Sequence, residues 1–264
     1  MADKQTIVIG RVPAGNPVAS STSTAGSPRG GLLERTITRL LMRPARVSGV
    51  TSLSDTFRLI ELQGEALKDC TWLPGDKIQV KLDGGLITRT YTPIDWDLKS
   101  GTTLIVAFGH AAGPGSEWSR SVIEGADRQL FGPRRSLNLD DIASPTILFG
   151  DETSFGLALA LDTHGEPGAT RHFIFEVNDR RESTSVMSRL GLTAATYVER
   201  RPGDAHLHEI CDAMVRFAQP ECTIVLSGKA SSIQHVNRTL KAKGFGARQF
   251  RTKPYWAPGK VGLD

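Results

Sequence analysis

Three short, continuous apolar runs in the second half of the chain constrain its fold more than any other feature. They are Ile147–Phe149, Phe173–Phe175 and Ile224–Leu226. Strands buried on both faces of a parallel sheet have such sequences, because helices cover both faces. Helices are predicted between and after the runs, at about 153–164, 184–190, 206–218 and 230–243. This βαβ alternation predicts a parallel-sheet domain of the nucleotide-binding type.

The chain before residue 143 has a different pattern, with short strands separated by turn residues. Apolar and polar residues alternate from Lys77 to Leu82, which is typical of a half-buried strand. In this alternation Lys77, Gln79 and Lys81 are the polar members. Other strands are predicted at Thr103–Phe108 and Arg128–Phe131. Several short strands at this spacing predict an antiparallel barrel or sandwich.

The domain boundaries follow from these changes of pattern. Residues 11–31 are rich in Ser, Thr, Ala, Gly and Pro, which predicts a flexible leader. Helical spacing from Leu33 predicts a short basic helix ended by Pro44, which either packs on its own domain or contacts a membrane or an acidic partner. We therefore expect a leader at 1–31, a β domain at 32–143 and an α/β domain at 144–264.

The composition excludes several functional classes. A net charge of +4 over 264 residues is mild and indicates a local basic site for an anionic ligand. Nucleic-acid binding is not predicted, because the chain has no zinc-finger spacing and no RNP-like aromatic run. The three cysteines show no C-x-x-C spacing, so neither a zinc site nor an iron–sulfur cluster is predicted.

The apolar segments are too short for a membrane protein. No apolar run approaches the roughly 20 residues needed to cross a bilayer. Near the N-terminus, Ile7-Val8-Ile9 is too short for a signal peptide. An odd number of thiols fits a reducing compartment. We therefore expect a cytoplasmic protein with no membrane span.

The segment Thr88-Arg89-Thr90-Tyr91-Thr92-Pro93 suits a flat, anionic ligand. Side chains alternate along a strand, so Arg89 and Tyr91 share one face. Tyr91 can lie against an aromatic ring system, Arg89 can bind a phosphate in a bidentate way, and the Thr92 hydroxyl can reach a ring nitrogen. An ordinary exposed strand has the same residue types, so this segment alone does not distinguish a ligand-binding site from such a strand.

A glycine-rich motif, His110-Ala111-Ala112-Gly113-Pro114-Gly115-Ser116-Glu117-Trp118, follows a predicted strand. Gly113 and Gly115 near a helix start allow backbone N–H groups to approach a pyrophosphate. Ser116 is a candidate N-cap or phosphate donor. His110 and Trp118 offer flat faces for an adenine or flavin ring. The alternative is a structural loop with a buried Trp.

Two turns follow predicted parallel strands, where open α/β sheets bind their ligands. The first is Gly150-Asp151-Glu152-Thr153-Ser154, in which Asp151 or Thr153 can also cap the following helix. The second is Gly228-Lys229-Ala230. Both turns are candidate nucleotide contacts.

Arg180 and Arg181 follow the second predicted parallel strand, where the ribose of a dinucleotide lies in such sheets. Arginine accommodates a 2′-phosphate, whereas an acidic residue favours NAD. Asp179 precedes the pair, so NADPH is favoured and NADH stays open. A solvated charge cluster is the alternative interpretation.

Taken in order, the motifs resemble those of the siderophore-interacting proteins, which belong to the ferredoxin–NADP reductase superfamily. The matching motifs are R-x-Y-T at 89–92, H-x-x-G-P-x-S-x-W at 110–118, Gly132-Pro133, GDET at 150–153, and Tyr255-Trp256 with Gly259. The resemblance covers about residues 43–260. It implies an FAD-binding β-barrel at 32–143 followed by an NAD(P)H-binding α/β domain at 144–264.

The resemblance also implies roles for the motif residues. Arg89, Tyr91 and Thr92 would hold the flavin and its phosphates. The segment from His110 to Ser116, with Trp118, would enclose the rest of the FAD, and Asp151 to Ser154 would contact NADPH or NADH.

The chain departs from the family pattern at three places. Ile94 stands where the family often has Arg, Phe155-Gly156 replaces Leu-Pro, and Lys229 occupies a position that is usually Glu. These departures concern cofactor contacts and leave the expected fold unchanged.

The activity that the resemblance implies is FAD-dependent reduction of ferric siderophores by NAD(P)H, with release of Fe(II). Ferric siderophores are often anionic. The C-terminal residues form either a basic, aromatic landing surface for them or a solvated basic tail; they are Arg248, Arg251, Lys253, Tyr255, Trp256 and Lys260. Two other functions stay open: a general flavin reductase that passes electrons to a partner protein, and a non-catalytic siderophore-binding flavoprotein.

Overall fold

The computed structural model describes residues 42–83, 87–110, 113–139, 142 and 144–259. The predicted leader, Lys260 and most of the predicted basic helix lie outside these residues. Arg43, which was expected near the end of that helix, is the first residue of a strand instead. Pro44 lies inside the same strand, where it is exposed.

The first half of the described chain forms one seven-stranded antiparallel sheet with a barrel-like curl. Its strands are β1 (Arg43–Ser52), β2 (Phe57–Gln63), β3 (Lys77–Lys81), β4 (Thr88–Tyr91), β5 (Asp95–Asp97), β6 (Thr102–Phe108) and β7 (Asp127–Arg134). They follow the order β4-β3-β7-β1-β2-β6-β5. Helix α1 (Pro114–Ser121) connects β6 to β7.

Strand β3 is more buried than the sequence predicted. Lys77 and Gln79 were expected on a solvent face, yet they are only 7% and 9% exposed. The expectation of a half-buried strand is therefore wrong. β3 lies between β4 and β7, and Arg134 of β7 reaches across to donate a 2.7 Å hydrogen bond to Gln79. The outer face of the strand is thus covered by side chains of its own sheet.

The second half of the described chain forms a five-stranded parallel sheet. Its strands are β8 (Thr146–Gly150), β9 (Arg171–Val177), β10 (Ala195–Glu199), β11 (Thr223–Lys229) and β12 (Phe250–Trp256). Its helices are α2 (Phe155–His164), α3 (Arg180–Arg189), α4 (Leu207–Phe217) and α5 (Ala230–Ala242). The strand order is β10-β9-β8-β11-β12. The predicted fold class, an antiparallel barrel followed by a parallel-sheet unit, is confirmed.

The predicted elements of this half correspond to β8, β9 and β11 and to all four helices. The edge strands β10 and β12 were not predicted. The change from one sheet to the other falls between Arg134 and Thr146, and the domain bounds at 31 and 143 stay predictions. No helix in the described part of the chain combines the length and apolarity that a bilayer span requires.

Helix α2 is buried on all sides between the two sheets. Every residue from Phe155 to Leu161 is buried, because the sequence F-G-L-A-L-A-L has no polar face. Phe155 stacks on Phe57 of the barrel at 5.4 Å between ring centroids and meets Phe175 of the parallel sheet edge-on at 4.9 Å. The helix therefore fixes the two sheets against each other.

Two polar contacts reinforce this packing, one of them from the last residue of α2. The Thr56 hydroxyl donates to the Glu182 carboxylate over 2.8 Å, and His164 lies 3.0 Å from Asp95. The hydrogen bond from His164 holds the pKa of Asp95 below its usual value.

We expect Gly156→Ala to test the contact between α2 and the barrel. A Cβ on Gly156 would lie 2.5 Å from the carbonyl oxygen of Thr92, so the helix must move away. The expected loss in free energy of unfolding is about 1–3 kcal/mol, typical of overpacking. Urea denaturation measures it. Gly49→Ala is the control, because its added Cβ would meet only Glu61 at 3.6 Å. Equal stability of the two variants would contradict the packing described here.

Candidate functional site

A pocket of about 100 Å³ opens where the barrel meets the carboxyl ends of the parallel strands. Its lining residues are Phe108, His110, Glu152, Thr153, Asn178, Arg200, Lys229 and Trp256. Open α/β sheets bind ligands at this edge, next to the point where the strand order reverses. Here the order reverses between β8 and β11.

All five parallel strands contribute to the pocket. Each lining residue on this side stands at or just after the last residue of a strand: Glu152 and Thr153 after β8, Asn178 after β9, Arg200 after β10, Lys229 on β11 and Trp256 on β12. Phe108 and His110 come from the barrel, at and just after the end of β6. The site is therefore shared between the two sheets.

Arg200 is the electrostatic centre of the pocket. It forms a bidentate pair with Glu152, at 3.0 Å and 2.9 Å, and donates a 2.7 Å hydrogen bond to Asn178. The Asn178 backbone N–H also donates to Glu152, over 2.6 Å. These contacts link the ends of β8, β9 and β10 into one rigid network.

The network continues into the core through Glu176, which is fully buried. One of its carboxylate oxygens lies 3.8 Å from Arg200, and the other contacts His206 Nε2 at 2.7 Å and accepts from Ser232 over 3.0 Å. His206 Nδ1 accepts a hydrogen bond from the Arg201 backbone N–H, so Nε2 carries a proton and donates it to Glu176. The buried carboxylate is thus stabilised from three elements.

Asp151 is fully buried and organises the turn after β8. It accepts hydrogen bonds from the Thr153 backbone N–H at 2.9 Å and from the Trp256 indole at 2.7 Å. A Cβ on Gly228, whose φ is +98°, would lie 2.6 Å from the Asp151 carboxyl carbon, so only glycine fits there. Asp151 therefore joins β8, β11 and β12 at the edge of the pocket.

The burial of Asp151 predicts a measurable pH dependence of stability. Burial raises its pKa to about 6, and the adjacent Glu152 charge adds to this. A carboxyl with a higher pKa in the folded state binds protons better there, so its contribution to stability is present below about pH 4 and is lost as the pH rises towards 6. Asp151→Asn removes this titration. We expect the stability of wild type relative to Asp151→Asn to fall by a few kcal/mol over that range, at about 1.4 kcal/mol per pKa unit.

Urea denaturation at several pH values measures this difference. Other carboxyl groups titrate in both proteins, so only the difference between them is informative. Asp55→Asn, in the exposed turn between β1 and β2, is the control and should run parallel to wild type. A parallel profile for Asp151→Asn as well would contradict the prediction.

The barrel side of the pocket is a column of stacked rings. His110 stacks on Phe108 at 4.4 Å between centroids with 12° between planes, and Phe108 stacks on Phe57 at 4.6 Å. Burial lowers the pKa of His110, which keeps its imidazole neutral at neutral pH. The column therefore presents a flat, uncharged face to the pocket.

A second group of predicted residues gathers at the start of α1. Arg89 and Tyr91 pair with Val80 and Ile78 of β3, so they share one face as predicted. The Tyr91 ring packs on Trp118 at 5.5 Å, and burial raises the pKa of the Tyr91 hydroxyl. The Arg89 side chain lies over Gly115, where an added Cβ would be 3.0 Å from its Nε.

The N-terminus of α1 and Arg89 form a positive region. The first backbone N–H groups of a helix have no intrahelical acceptor and carry a partial positive charge. Pro114 occupies the first position, as is common at helix starts. An anion placed between or beside these two positive groups would be stabilised by both of them. Ser116 lies in this first turn, and Gly113, at φ +138°, caps it.

Thr92 and Tyr255 join the barrel to the end of β12. Their hydroxyl oxygens are 3.0 Å apart, and burial raises the pKa of Tyr255 to about 12. Together with Trp256, Tyr255 thus lies at the junction of the two sheets. Arg251 is five residues earlier on β12, about 17 Å from Trp256 at the usual strand rise. The structure separates the aromatic residues of the C-terminus from Arg248 and Arg251.

Other predicted site residues take different positions. Arg180 and Arg181 are exposed at the first turn of α3, whose N-cap is Asp179. Ser154 is buried and accepts a hydrogen bond from Ser227 over 2.8 Å, so it supports the turn without lining the pocket. Ala230 is the first residue of α5, and Lys253 is partly buried on β12.

Sequence reasoning missed Phe108, Asn178 and Arg200. Asn178 directly follows a predicted strand, so its position was a signal that could have been used. Arg200 follows β10, which was not predicted. The run Thr196-Tyr197-Val198, shortly after a helix and before a charged pair, was the available signal for that strand.

No protein-family model and no curated protein matches the sequence. Solved structures do match. A siderophore utilization protein from T. fusca is 21% identical, with a TM-score of 0.72 over 84% of this chain and 95% of that one. The siderophore-interacting protein from Acinetobacter baumannii is 16% identical, with a TM-score of 0.68 over 83% and 92%.

Phthalate dioxygenase reductase, described as a modular structure for electron transfer from pyridine nucleotides to [2Fe-2S], is 14% identical, with a TM-score of 0.68 over 83% of this chain and 70% of that one. At these identities the likeness concerns the fold. The chain shares with these structures a two-sheet fold, an antiparallel barrel followed by a parallel sheet, as the sequence predicted.

Proposed function

We propose that the chain is an FAD-dependent oxidoreductase that takes a hydride from NAD(P)H and reduces ferric siderophores, releasing Fe(II). The observation that carries the proposal is the shared pocket. Flat aromatic faces of the barrel there meet the carboxyl ends of all five parallel strands. Such an arrangement suits a flavin on one side and a nicotinamide nucleotide on the other. Residues 32–143 and 144–264 are the corresponding proposed domains.

The barrel residues fit FAD. Gly115 leaves room for the Arg89 side chain beside the α1 N-terminus, which creates a site for a diphosphate. The indole N–H of Trp118 is buried and has no hydrogen-bond partner among the described residues, so a ligand atom could accept from it. Tyr91 and His110 supply flat faces for the ring systems. Thr92, with Gly113 and Ser116, completes the proposed FAD contacts.

The parallel-sheet residues fit a nicotinamide nucleotide. The turn from Asp151 to Ser154 lines the pocket through Glu152 and Thr153, and the turn at Gly228 lines it through Lys229, next to the strand-order reversal. Arg180 and Arg181 are exposed after β9, where they can bind a 2′-phosphate, so we propose NADPH as the preferred donor and NADH as a weaker one.

In this proposal the residues of the pocket bind and orient, and hydride and electron transfer require no acid or base from them. Neutral His110 extends the stacking surface without adding charge. Arg200 and Glu152 fix the spacing between strand ends, so the width of the pocket is set before a ligand enters. Bound FAD would supply the conversion of a two-electron hydride donor into single electrons for Fe(III). Reduction weakens the hold of hard oxygen ligands on iron.

The proposed acceptor follows from the names of two similar structures, a siderophore utilization protein and a siderophore-interacting protein. Basic residues of this chain suit an anionic chelate; the exposed or partly exposed ones on and before β12 are Arg248, Arg251 and Lys253. We propose that Tyr255 and Trp256 act at the junction of the sheets, beside the cofactors. The proposed location of the protein is the cytoplasm.

Anaerobic mixing of the purified, flavin-loaded protein with NADPH, and separately with NADH, tests the proposal. We expect the visible flavin band to bleach, faster with NADPH. Addition of a ferric siderophore should restore the band and produce two ferrous ions per NADPH, measured with a ferrous-specific chromogenic chelator, without any partner protein. A flavin that neither nucleotide bleaches would contradict the proposal.

Two other outcomes identify the rival functions. Bleaching by NADPH without reoxidation by a ferric chelate would indicate a reductase for a partner protein, which the likeness to phthalate dioxygenase reductase also suits. Chelate binding without bleaching would indicate a non-catalytic siderophore-binding flavoprotein.

A further inference from the structure

Lys229 is the cation of the pocket that can most easily change its ion-pair partner. It is the last residue of β11, its side chain is 16% exposed, and it lines the pocket. Its ammonium group lies 3.0 Å from the Asp204 carboxylate. Among the described residues, Asp204 is the one ion-pair partner found for it.

Arg200, the other cation of the pocket, cannot change its ion-pair partners in this way. Its guanidinium lies within 4 Å of three buried carboxylates, those of Asp151, Glu152 and Glu176. Its charge is therefore already compensated, and drawing it toward a ligand would leave buried carboxylates without a partner. An anion that enters the pocket must be bound by another group.

Asp204 is a partner that can be replaced at small cost. Its side chain is 43% exposed, so water solvates the carboxylate when Lys229 leaves it. It is also the one non-glycine residue with positive φ, +57°, that the structure describes, and Gly203 before it has φ +66°. Left-handed backbone is costly for most residues and is tolerated by Asp and Asn. The turn therefore holds an exposed carboxylate against the ammonium group of Lys229, which lines the pocket.

We propose that Lys229 exchanges Asp204 for the diphosphate of the nicotinamide nucleotide, so that this ion pair sets nucleotide affinity. The inference rests on the proposed function and deepens it. β8 lies between β9 and β11, so about 10 Å separates the backbone of Lys229 from that of the residues after β9, while the Lys229 side chain extends to Asp204 after β10. In this proposal Lys229 serves the diphosphate that NADPH and NADH share, and the Arg180 region serves the 2′-phosphate.

The proposed exchange predicts that substitutions of Lys229 and of Asp204 change nucleotide affinity in opposite directions. Lys229→Met removes the cation, so the Kd values of NADP+ and NAD+ should both rise by about tenfold, with an unchanged ratio between them. Asp204→Asn keeps a residue that tolerates positive φ but frees Lys229. The Kd values should then fall by about threefold.

Isothermal titration of the flavin-loaded protein with NADP+, NAD+ and inorganic pyrophosphate measures these effects. Pyrophosphate should bind weakly to wild type and not to Lys229→Met. Lys68→Met and Glu65→Gln are matched controls, because they change the same charges in an exposed 2.8 Å ion pair remote from the pocket. They should leave all Kd values unchanged.

The possible failures are distinguishable. Nucleotide affinity that Lys229→Met changes less than twofold would overturn the inference and leave the proposed function intact. A loss confined to NADP+ would also overturn it, since Lys229 would then contact the 2′-phosphate. Lys229-dependent binding of pyrophosphate without binding of either nucleotide would support the diphosphate site and refute the proposed function. Weaker binding by Asp204→Asn would contradict the exchange.

Discussion

Replacing Arg200 with methionine is expected to lower the free energy of unfolding by about 3–5 kcal/mol, the usual cost of removing one partner from a buried ion pair. Glu152 and Glu176 are 2% and 0% exposed at their side chains, and Arg200 compensates both. Methionine fills similar space without charge, so the buried carboxylates would lose their partner. The pocket would lose its rigid width at the same time, because Arg200 joins the ends of β8, β9 and β10.

The adjacent residue provides a matched control. Arg201 pairs with Glu209, and both side chains are more than half exposed. Exposed ion pairs contribute about 0–1 kcal/mol, so Arg201→Met should have little effect in the same urea denaturation series. Arg200→Lys should be intermediate, because an ammonium group cannot make the bidentate pair. Similar losses for Arg200→Met and Arg201→Met would contradict the role given to the buried network.

Replacing Arg89 with methionine is expected to raise the Kd of FAD by about 10- to 150-fold, since hydrogen bonds to charged groups contribute roughly 1.5–3 kcal/mol. The guanidinium and the start of α1 are both positive, and the Arg89 side chain lies directly over Gly115. Without the cation, a diphosphate would be bound by uncharged groups alone, namely backbone N–H groups of α1 and the Ser116 hydroxyl. Fluorescence titration of the flavin-free protein with FAD measures the change.

Arg46→Met is the matched control for this prediction. Arg46 also lies over a glycine, with its Nη2 3.3 Å from the Cβ that Gly125 would carry, but it is on β1 and away from any helix start. The Arg46→Met variant should bind FAD with the same Kd as wild type. Unfolding midpoints of the flavin-free variants separate loss of binding from loss of fold. Equal FAD affinity for Arg89→Met and wild type would remove Arg89 from the proposed site.

Much of the fold could be predicted because its patterns are local. The runs that became β8, β9 and β11 are apolar throughout, since helices cover both faces of the central strands. The edge strands β10 and β12 were missed because they pair on one side only and contain mixed residues. In β12, basic residues and Pro254 are typical of a protected edge, and they made the segment look like a tail.

The contacts between residues that lie far apart in the sequence could not be predicted. Lys77 and Gln79 look solvent-facing in sequence, and their burial depends on Arg134, more than 50 residues away. Arg200 stands in no motif, and its role depends on the position of β10 beside β9. The contact of Tyr255 with Thr92 likewise required the packing of one sheet on the other, and that of Trp256 with Asp151 required the order β8-β11-β12 within the parallel sheet. Motifs located the two sides of the site, whereas the connections between them arise from tertiary structure.

The central claim is that the barrel holds a flavin against the nucleotide pocket, and the flavin content of the purified chain tests it most directly. After incubation with excess FAD and gel filtration, the visible spectrum should show one FAD per chain with flavin bands perturbed by the protein. A colourless protein that takes up no FAD, while remaining folded by circular dichroism, would contradict the account.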